Sequence, residues 1–228
     1  MKTKLVFLSF FFAFFLILPS AQAVPLSLDF GTSGFIPGGT ETNNGLVPVY
    51  GSQDTRLGYY GAQIKLTGSA DLTFDFLGFE AAWDNEFKWN GDTLFANYAD
   101  DSEEWIANPT ASPLDSASRS YDGGTSGDYL PFSFYFAANK NVDGYSLLNA
   151  ENSDAYNNEN PNFFVSWDDG MEGYSLVLWL DDGGGADGDD DNHDDMAIRI
   201  TARAVPEPAT MLLLGAGLLG LAAVVRRK

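Results

Sequence analysis

The 228-residue sequence contains no cysteine and a single histidine, His193. Without cysteine the chain forms no disulfide bond and carries no thiol nucleophile. One histidine and no cysteine also argue against a zinc site, because such sites usually combine several nitrogen or sulfur ligands. The sequence has no Gly-x-Ser-x-Gly elbow and no glycine-rich phosphate loop leading into a helix, so it predicts neither a serine hydrolase nor a nucleotide-binding enzyme.

Basic residues are scarce. The chain has 12 Lys and Arg against 32 Asp and Glu, for a formal net charge of −20. A surface with this excess of carboxylates repels phosphate backbones and anionic membranes, which excludes nucleic-acid binding as a function. The same surface attracts divalent cations.

Long hydrophobic runs occur only near the two ends of the sequence. At the start, Lys2 and Lys4 precede an apolar stretch over residues 5–18, and Ala21-Gln22-Ala23 has the small-x-small form that signal peptidase cleaves. The run is too short to span a bilayer, so we predict a cleavable signal peptide with a signal helix over residues 1–23. The alternative is an uncleaved membrane anchor.

The second run covers residues 209–225 and is followed by Arg226, Arg227 and Lys228. It corresponds to about 25 Å of helix, which predicts a transmembrane helix whose basic tail stays in the cytoplasm. The triplet Pro206-Glu207-Pro208 stands before it. Because each proline disfavours helix in the preceding residue, the triplet predicts an extended segment that a protease can bind. The body, residues 24–205, is then placed outside the cytoplasm.

These C-terminal features, in the order Pro206-Glu207-Pro208, apolar helix and basic tail, resemble the PEP-CTERM sorting signal. The resemblance implies a diderm bacterium that makes exopolysaccharide. It also implies an exosortase that cleaves near the triplet, so that a protein tethered to the inner membrane passes to the cell surface or extracellular matrix. The alternative is a permanent C-terminal anchor.

The body is dominated by short patterns typical of β-strands. Apolar residues alternate over residues 71–76, 132–136 and 196–200, and residues 174–180 are almost continuously apolar, as in a strand covered on both faces. Residues 59–66 and 162–167 are further candidates, and residues 101–107 are interpreted as one or two helical turns. We therefore predict a single all-β domain, an antiparallel β-sandwich with a jelly-roll-like arrangement.

An aspartate-rich loop lies between two predicted strands, with eight aspartates between Asp181 and Asp195. Crowded carboxylates repel one another, and Ca²⁺ is a cation that takes six to eight oxygen ligands. The spacing is not that of an EF-hand, because Asn192 and Ile198 stand where glycine and glutamate are required. The alternative is a solvated loop without an ion. The candidate metal ligands are Asp187, Asp189, Asp190, Asp191, Asn192, Asp194 and Asp195.

His193 lies inside this loop. It is interpreted as a residue that hydrogen-bonds a carboxylate and orders the turn, with a ligand role as the alternative. Residues 190–200 are similar to an Asp-rich "DDNHDDMVVRI" strand that many PEP-CTERM proteins carry before the sorting signal, and residues 77–95 are similar to a second segment of such proteins. Neither similarity implies an activity.

Aromatic residues next to acids suggest two further functions. Trp83, Trp89 and Trp105 could offer flat faces to sugar rings, which is the pattern of a carbohydrate-binding module; the alternative is packing in the core. Four nearby acids, Glu80, Glu86, Glu103 and Glu104, supply the carboxylates that a glycoside hydrolase needs. No pair among them stands out, so the sequence favours a protein that is not an enzyme.

Together these observations predict an exported structural or adhesive protein associated with exopolysaccharide. Calcium is the candidate ion that would bridge the protein to acidic polysaccharide or to other copies. Its expected partners are signal peptidase and exosortase during export, the membrane before processing, and matrix components afterwards.

Overall fold

A computed structural model describes residues 25–37, 55–79, 81, 83–97, 106–107, 115–137, 144–153, 161–182 and 193–205, with eight further positions between residues 214 and 226. The strands are β1 (Leu26–Asp29), β2 (Thr32–Pro37), β3 (Thr55–Tyr60), β4 (Gln63–Leu66), β5 (Ser69–Phe79), β6 (Asp84–Trp89), β7 (Asp92–Asn97), β8 (Ile106–Ala107), β9 (Asp115–Asp122), β10 (Asp128–Tyr129), β11 (Phe132–Ala137), β12 (Tyr145–Leu148), β13 (Asn162–Trp167), β14 (Ser175–Asp181) and β15 (Met196–Ala204). One 3-10 turn spans Asn149–Glu151.

The described strands form three sheets. The first has the order β1-β4-β10, the second β12-β11-β6-β7, and the third β2-β3-β13-β14-β15-β5-β8, in which β5 also pairs with β9. All the pairings found between these strands are antiparallel. The prediction of an all-β, antiparallel body is confirmed.

The main core lies between the four-stranded and the eight-stranded sheets. Phe87 of β6 contacts Phe74 of β5, with ring centroids 5.6 Å apart, and Phe132 and Phe134 of β11 both lie 5.7 Å from Phe163 of β13. The alternating pattern in each strand places these rings on the facing sides of the two sheets. This face-to-face packing agrees with a sandwich, whereas the jelly-roll-like connectivity stays a prediction.

Strand β14 has both faces covered, as its nearly continuous apolar sequence predicted. Leu176, Leu178 and Leu180 belong to the main core, and Val177 and Trp179 belong to a second cluster on the opposite face of the sheet. A strand in the middle of a sheet and covered on both sides has few polar positions.

One predicted strand is divided in two by a turn, and one predicted helical turn is wrong where the structure describes it. Residues 59–66 form the end of β3 and the whole of β4, which lie in different sheets, because the chain turns at Gly61 with φ of +65°. Ile106 and Ala107 form strand β8 and pair with Phe79 and Gly78, instead of ending a helical turn. The rest of that predicted turn lies outside the described residues.

Two buried asparagines connect β4 to the neighbouring sheet and to residue 130. The Asn149 side chain accepts a hydrogen bond from Ile64 N and donates to Ile64 O and Leu130 O. Asn152 accepts from Phe163 N and donates to Ala62 O and Phe163 O. Each side-chain amide thus forms hydrogen bonds with backbone N–H and C=O groups at places where strand pairing does not.

A polar cluster ties the three-stranded sheet together on its exposed side. Asp29 Oδ2 of β1 lies 2.5 Å from Lys65 Nζ of β4 and accepts a hydrogen bond of 2.8 Å from the Tyr129 hydroxyl of β10. The bond with Lys65, and then that with Tyr129, lowers the pKa of Asp29. The bond to Asp29 in turn raises the pKa of both Lys65 and Tyr129.

The eight described positions between residues 214 and 226 are helical. None of the helices formed by described residues is long and apolar enough to cross a bilayer. The signal helix over residues 1–23 lies outside the described residues, as does much of the transmembrane helix over residues 209–225, so both stay predictions.

Candidate functional site

The aspartate-rich loop joins two central strands of the eight-stranded sheet. Leu180 of β14 pairs with Met196 of β15, and four aspartates lie where the two strands meet the loop. We call these four residues, Asp181, Asp182, Asp194 and Asp195, the acidic neck. Residues 183–192, between its two sides, lie outside the described residues.

All four carboxylates of the acidic neck are buried, with exposed fractions from 1% to 8%. Moving an ionised carboxylate out of water is costly unless hydrogen bonds, a neighbouring positive charge or a bound cation compensates for the lost hydration. The four buried acids of the neck, which lie within 15 positions of the chain, therefore depend on compensation of this kind.

The side of the neck that faces the main core is bonded to the other sheet. Asn85 of β6 donates from Nδ2 to Asp182 Oδ2 at 2.8 Å, across 97 positions of sequence. The Asp182 backbone N–H donates to Asp195 Oδ2 at 2.7 Å, and Asp195 N donates to Leu180 O at 3.2 Å. These bonds close the base of the loop.

His193 closes the opposite side of the neck. Its Nε2 lies 2.9 Å from Asn162 Oδ1, and since an amide oxygen only accepts, Nε2 carries the hydrogen. Its Nδ1 lies 3.7 Å from Asp181 Oδ2, and its ring packs edge-on against Tyr60. The residue has φ of +62°, a conformation that reverses the chain ahead of β15. This geometry agrees with a role of His193 in ordering the turn, but the hydrogen bond at Nε2 is to an amide and not to the carboxylate that the sequence predicted, since Asp181 Oδ2 lies 3.7 Å from Nδ1.

Two buried side-chain oxygens near the start of β6 have no hydrogen-bond partner among the described residues. They are Oδ1 of Asn85, whose other amide atom bonds Asp182, and Oδ1 of Asn97, which faces Asn85 across the β6–β7 pairing. A buried carbonyl oxygen without a donor is unfavourable, and Asn side-chain oxygens are common ligands of Ca²⁺.

Only two of the predicted metal ligands lie in the described part of the chain. Asp194 and Asp195 belong to the acidic neck; Asp187, Asp189, Asp190, Asp191 and Asn192 lie outside the described residues. Among described residues, no group of three or more His, Cys, Asp or Glu side chains is arranged to hold a metal ion. The described side chains alone therefore do not form a metal site.

Several basic residues of the body are paired away from the neck. Arg56 lies beside Asp168 and Asp169, Lys65 beside Asp29, Lys88 beside Glu86, and Arg199 beside Asp75. The body contains seven Lys and Arg in all, so few remain to balance the acids of the loop.

The predicted sugar-binding tryptophans do not form a common surface. Trp89 is buried in the core, 5.0 Å from Phe74 and 5.4 Å from Tyr121 between ring centroids, which corrects its assignment as a sugar-stacking face. Its alternation with Phe87 along β6 points it inward. Trp83 is partly buried against the same core, and Trp105 lies outside the described residues.

The four acids considered for a glycoside hydrolase give no described pair. Glu86 lies 3.0 Å from Lys88 and accepts a hydrogen bond from the Thr93 hydroxyl. The other three, Glu80, Glu103 and Glu104, lie outside the described residues.

Two residues that form hydrogen bonds with the neck and with His193 were not predicted from the sequence. Asn85 and Asn162 come from β6 and β13, and nothing in their local sequence connects them to the loop. Asp181 and Asp182 could have been included, because they come directly after the apolar residues 174–180 and therefore lie where that strand enters the loop.

The C-terminal end of the chain matches a family model. Residues 204–228 match the PEP-CTERM protein-sorting motif, which covers all the predicted sorting residues from Pro206 to Lys228. The match begins where β15 ends at Ala204. The motif indicates an exported protein that exosortase processes through a membrane-anchored intermediate on the way to the cell surface. Comparison with curated proteins and with solved structures gives no match.

Proposed function

We propose that the chain is an exported exosortase substrate whose β-sandwich body, residues 24–205, serves a non-catalytic structural or adhesive role in the extracellular matrix, in association with exopolysaccharide. The observation that carries the proposal is the sorting motif over residues 204–228. A body that ends in a sheet strand directly before the motif supports it, because cleavage there would release a folded domain.

The processing step is tested on protein recovered from outside the cells. Mass spectrometry of its C-terminal peptide should show an end near Pro206-Glu207-Pro208, without Arg226, Arg227 and Lys228. A matched variant with the triplet replaced by three alanines should stay with the membrane fraction and keep its basic tail. Recovery of an intact basic tail on the released protein would contradict processing.

We further propose that Ca²⁺ binds at the aspartate-rich loop and bridges the protein to acidic polysaccharide or to other copies. Three observations support this: the buried acids of the neck, the Asn85 oxygen that has no hydrogen-bond partner among the described residues, and the pairing of four basic residues elsewhere. Ca²⁺ would supply the positive charge that buried carboxylates need, and it accepts carboxylate and amide oxygens in flexible geometry.

Calcium binding is tested by thermal unfolding of the full-length protein in detergent, with and without millimolar Ca²⁺. Extracellular sites bind at about 10⁻⁴–10⁻³ M, so raising Ca²⁺ to about thirty times the Kd adds about 2 kcal/mol, or about 4–8 °C. The double variant Asp190→Asn/Asp194→Asn should lose the shift, and the exposed control Asp169→Asn should keep it. No shift in the unmodified protein, or an equal shift in the double variant, would rule out binding at the loop.

A further inference from the structure

We infer that the edge of the eight-stranded sheet formed by β2 and β3 carries a second binding site, a groove that takes a polysaccharide built from neutral or amino sugars. The groove has a volume of about 610 Å³ and lies between these strands and the turn that joins β13 to β14. This size is within the range of ligand-binding clefts in proteins.

The floor of the groove is an apolar strip drawn from three adjacent strands. Phe35 of β2 is opposite Leu57 of β3, and Tyr59 of β3 is opposite Val165 of β13. Trp167 lies two residues after Val165, so by strand alternation these side chains share the face that continues into the main core. The main core covers Val165 completely, whereas Phe35 is 56% exposed and Leu57 is 70% exposed. Within the described part of the chain, the core thus ends here and leaves the apolar side chains of Phe35 and Leu57 exposed.

The strip is held in place before any ligand binds. The Tyr60 hydroxyl donates to Phe35 O at 2.7 Å and fixes β2 against β3. Arg56 donates from Nη2 to Trp167 O at 2.7 Å and from Nε to Ser166 Oγ at 3.2 Å. A site whose groups are already positioned loses less conformational entropy on binding.

Acidic side chains from the turn between β13 and β14 also line the groove. Asp168 accepts a hydrogen bond of 2.5 Å from the Ser175 hydroxyl and lies 3.7 Å from Arg56, so it is committed to ordering the turn. The Asp169 side chain is 87% exposed, 3.5 Å from Arg56, and Glu172 is also exposed in the groove lining. Two accessible carboxylates can therefore accept hydrogen bonds from a ligand.

The apolar strip together with the exposed carboxylates indicates which class of ligand the groove binds. Pyranose rings present C–H groups on their faces and hydroxyl groups on their edges, so they pack on aromatic and aliphatic side chains while their hydroxyls bond carboxylates. Asp169 and Glu172 repel uronic acids and favour sugars that are uncharged or carry an amino group. An acidic polysaccharide would need a cation at this position.

The groove was not predicted from the sequence, which suggested other tryptophans as sugar-binding residues. Trp167 was not among those candidates, and no local pattern connects it with Phe35, because 132 positions separate the two residues. The inference does not rest on the calcium bridge proposed above, and binding at the groove should survive a chelator. Sorting, calcium binding and groove binding therefore succeed or fail separately.

The test measures affinity of the full-length protein, in detergent and with chelator present, for three soluble polymers: a neutral β-glucan, a chitosan oligosaccharide and polygalacturonate. Binding to the first or second and not to the third is expected. Phe35→Ala and Leu57→Ala should each weaken binding by about three- to tenfold without loss of folding, since both side chains are exposed. Trp167→Ala should weaken it at least as much.

Met171→Ala provides the matched control. Met171 is an exposed apolar residue in the same turn but does not line the groove, so this variant should bind like the unmodified protein. Absence of binding to both the neutral and the amino polymer would overturn the inference. Equal binding of polygalacturonate, or affinities unchanged in Phe35→Ala and Leu57→Ala, would also overturn it.

Discussion

Replacing Asn152 by alanine should destabilise the body strongly although the residue lies in no regular strand. The Asn152 side chain makes three hydrogen bonds of 2.8 to 3.1 Å with backbone groups of Ala62 and Phe163. Both partner residues are fully buried, so water does not replace the lost bonds. The Asn152 side-chain amide joins the segment before β4 to the first residues of β13. None of the described strand pairings connects these two segments.

The magnitude follows from the number of bonds. A buried hydrogen bond contributes about 1 kcal/mol net, so three of them contribute about 3 kcal/mol, and the unsatisfied Phe163 N–H adds to the cost. For a body of this size each kcal/mol lowers the melting temperature by about 2–4 °C, which predicts a decrease of about 6–12 °C or more. Thermal unfolding followed by circular dichroism measures it.

Two further variants separate hydrogen bonding from packing. Glu151→Ala changes the exposed last residue of the 3-10 turn, directly before Asn152, and should alter the melting temperature by less than about 2 °C. Asn152→Asp keeps the size of the side chain but replaces the amide donor by an oxygen that faces two carbonyl groups. It should therefore be at least as destabilising as Asn152→Ala. An Asn152→Asp protein as stable as the unmodified one would refute the hydrogen-bond reasoning.

Two other predictions concern ion pairs. Asp29 raises the pKa of Lys65 above 10.5 by accepting its hydrogen bond, so the stability from this pair is fully present below about pH 10.5 and is lost as pH rises through the raised pKa. In urea unfolding between pH 8 and 11, Asp29→Asn should therefore show a smaller loss of stability than the unmodified protein; an equal loss would contradict the assignment. Arg199 donates from Nε and Nη2 to the buried Asp75, and Arg199→Gln should cost about 1.5–3 kcal/mol in the same assay. Arg203→Gln, an exposed change on the same strand, is its control, and equal costs for the two variants would contradict a specific pair.

The strands that sequence analysis predicted best are those whose environment is uniform along their length. Strand β14 lies between β13 and β15 with clusters on both faces, so its apolar run is unbroken. Residues 59–66 contain strand at both ends, so their apolar pattern does not show the turn between the two strands. The turn at Gly61 transfers the chain from one sheet to another, and the local pattern does not contain that change of partner.

The sites were less predictable than the strands because their parts come from distant positions. The loop aspartates were visible in the sequence, but the burial of Asp182 depends on Asn85 of another sheet. The groove combines Phe35, Leu57 and Trp167, which only the order β2-β3-β13 brings side by side. Local patterns specify which face of a strand is apolar, whereas the point where the covering sheet ends is a property of the whole fold.

The position of the sorting motif fits release of an intact body. The pairing of β15 with β5 runs up to Ala204, which is opposite Ala70, and the next residue, Val205, donates from its backbone N–H to Ser69 O at 2.8 Å. These are the last residues before Pro206, whose ring nitrogen has no hydrogen to donate to a sheet. Cleavage near the triplet therefore removes none of the described strand pairings. Because β15 lies between β14 and β5, a cut several residues earlier would instead break the centre of the largest sheet. The sorting triplet thus follows directly after the last described strand, which is where cleavage leaves the described sheets complete.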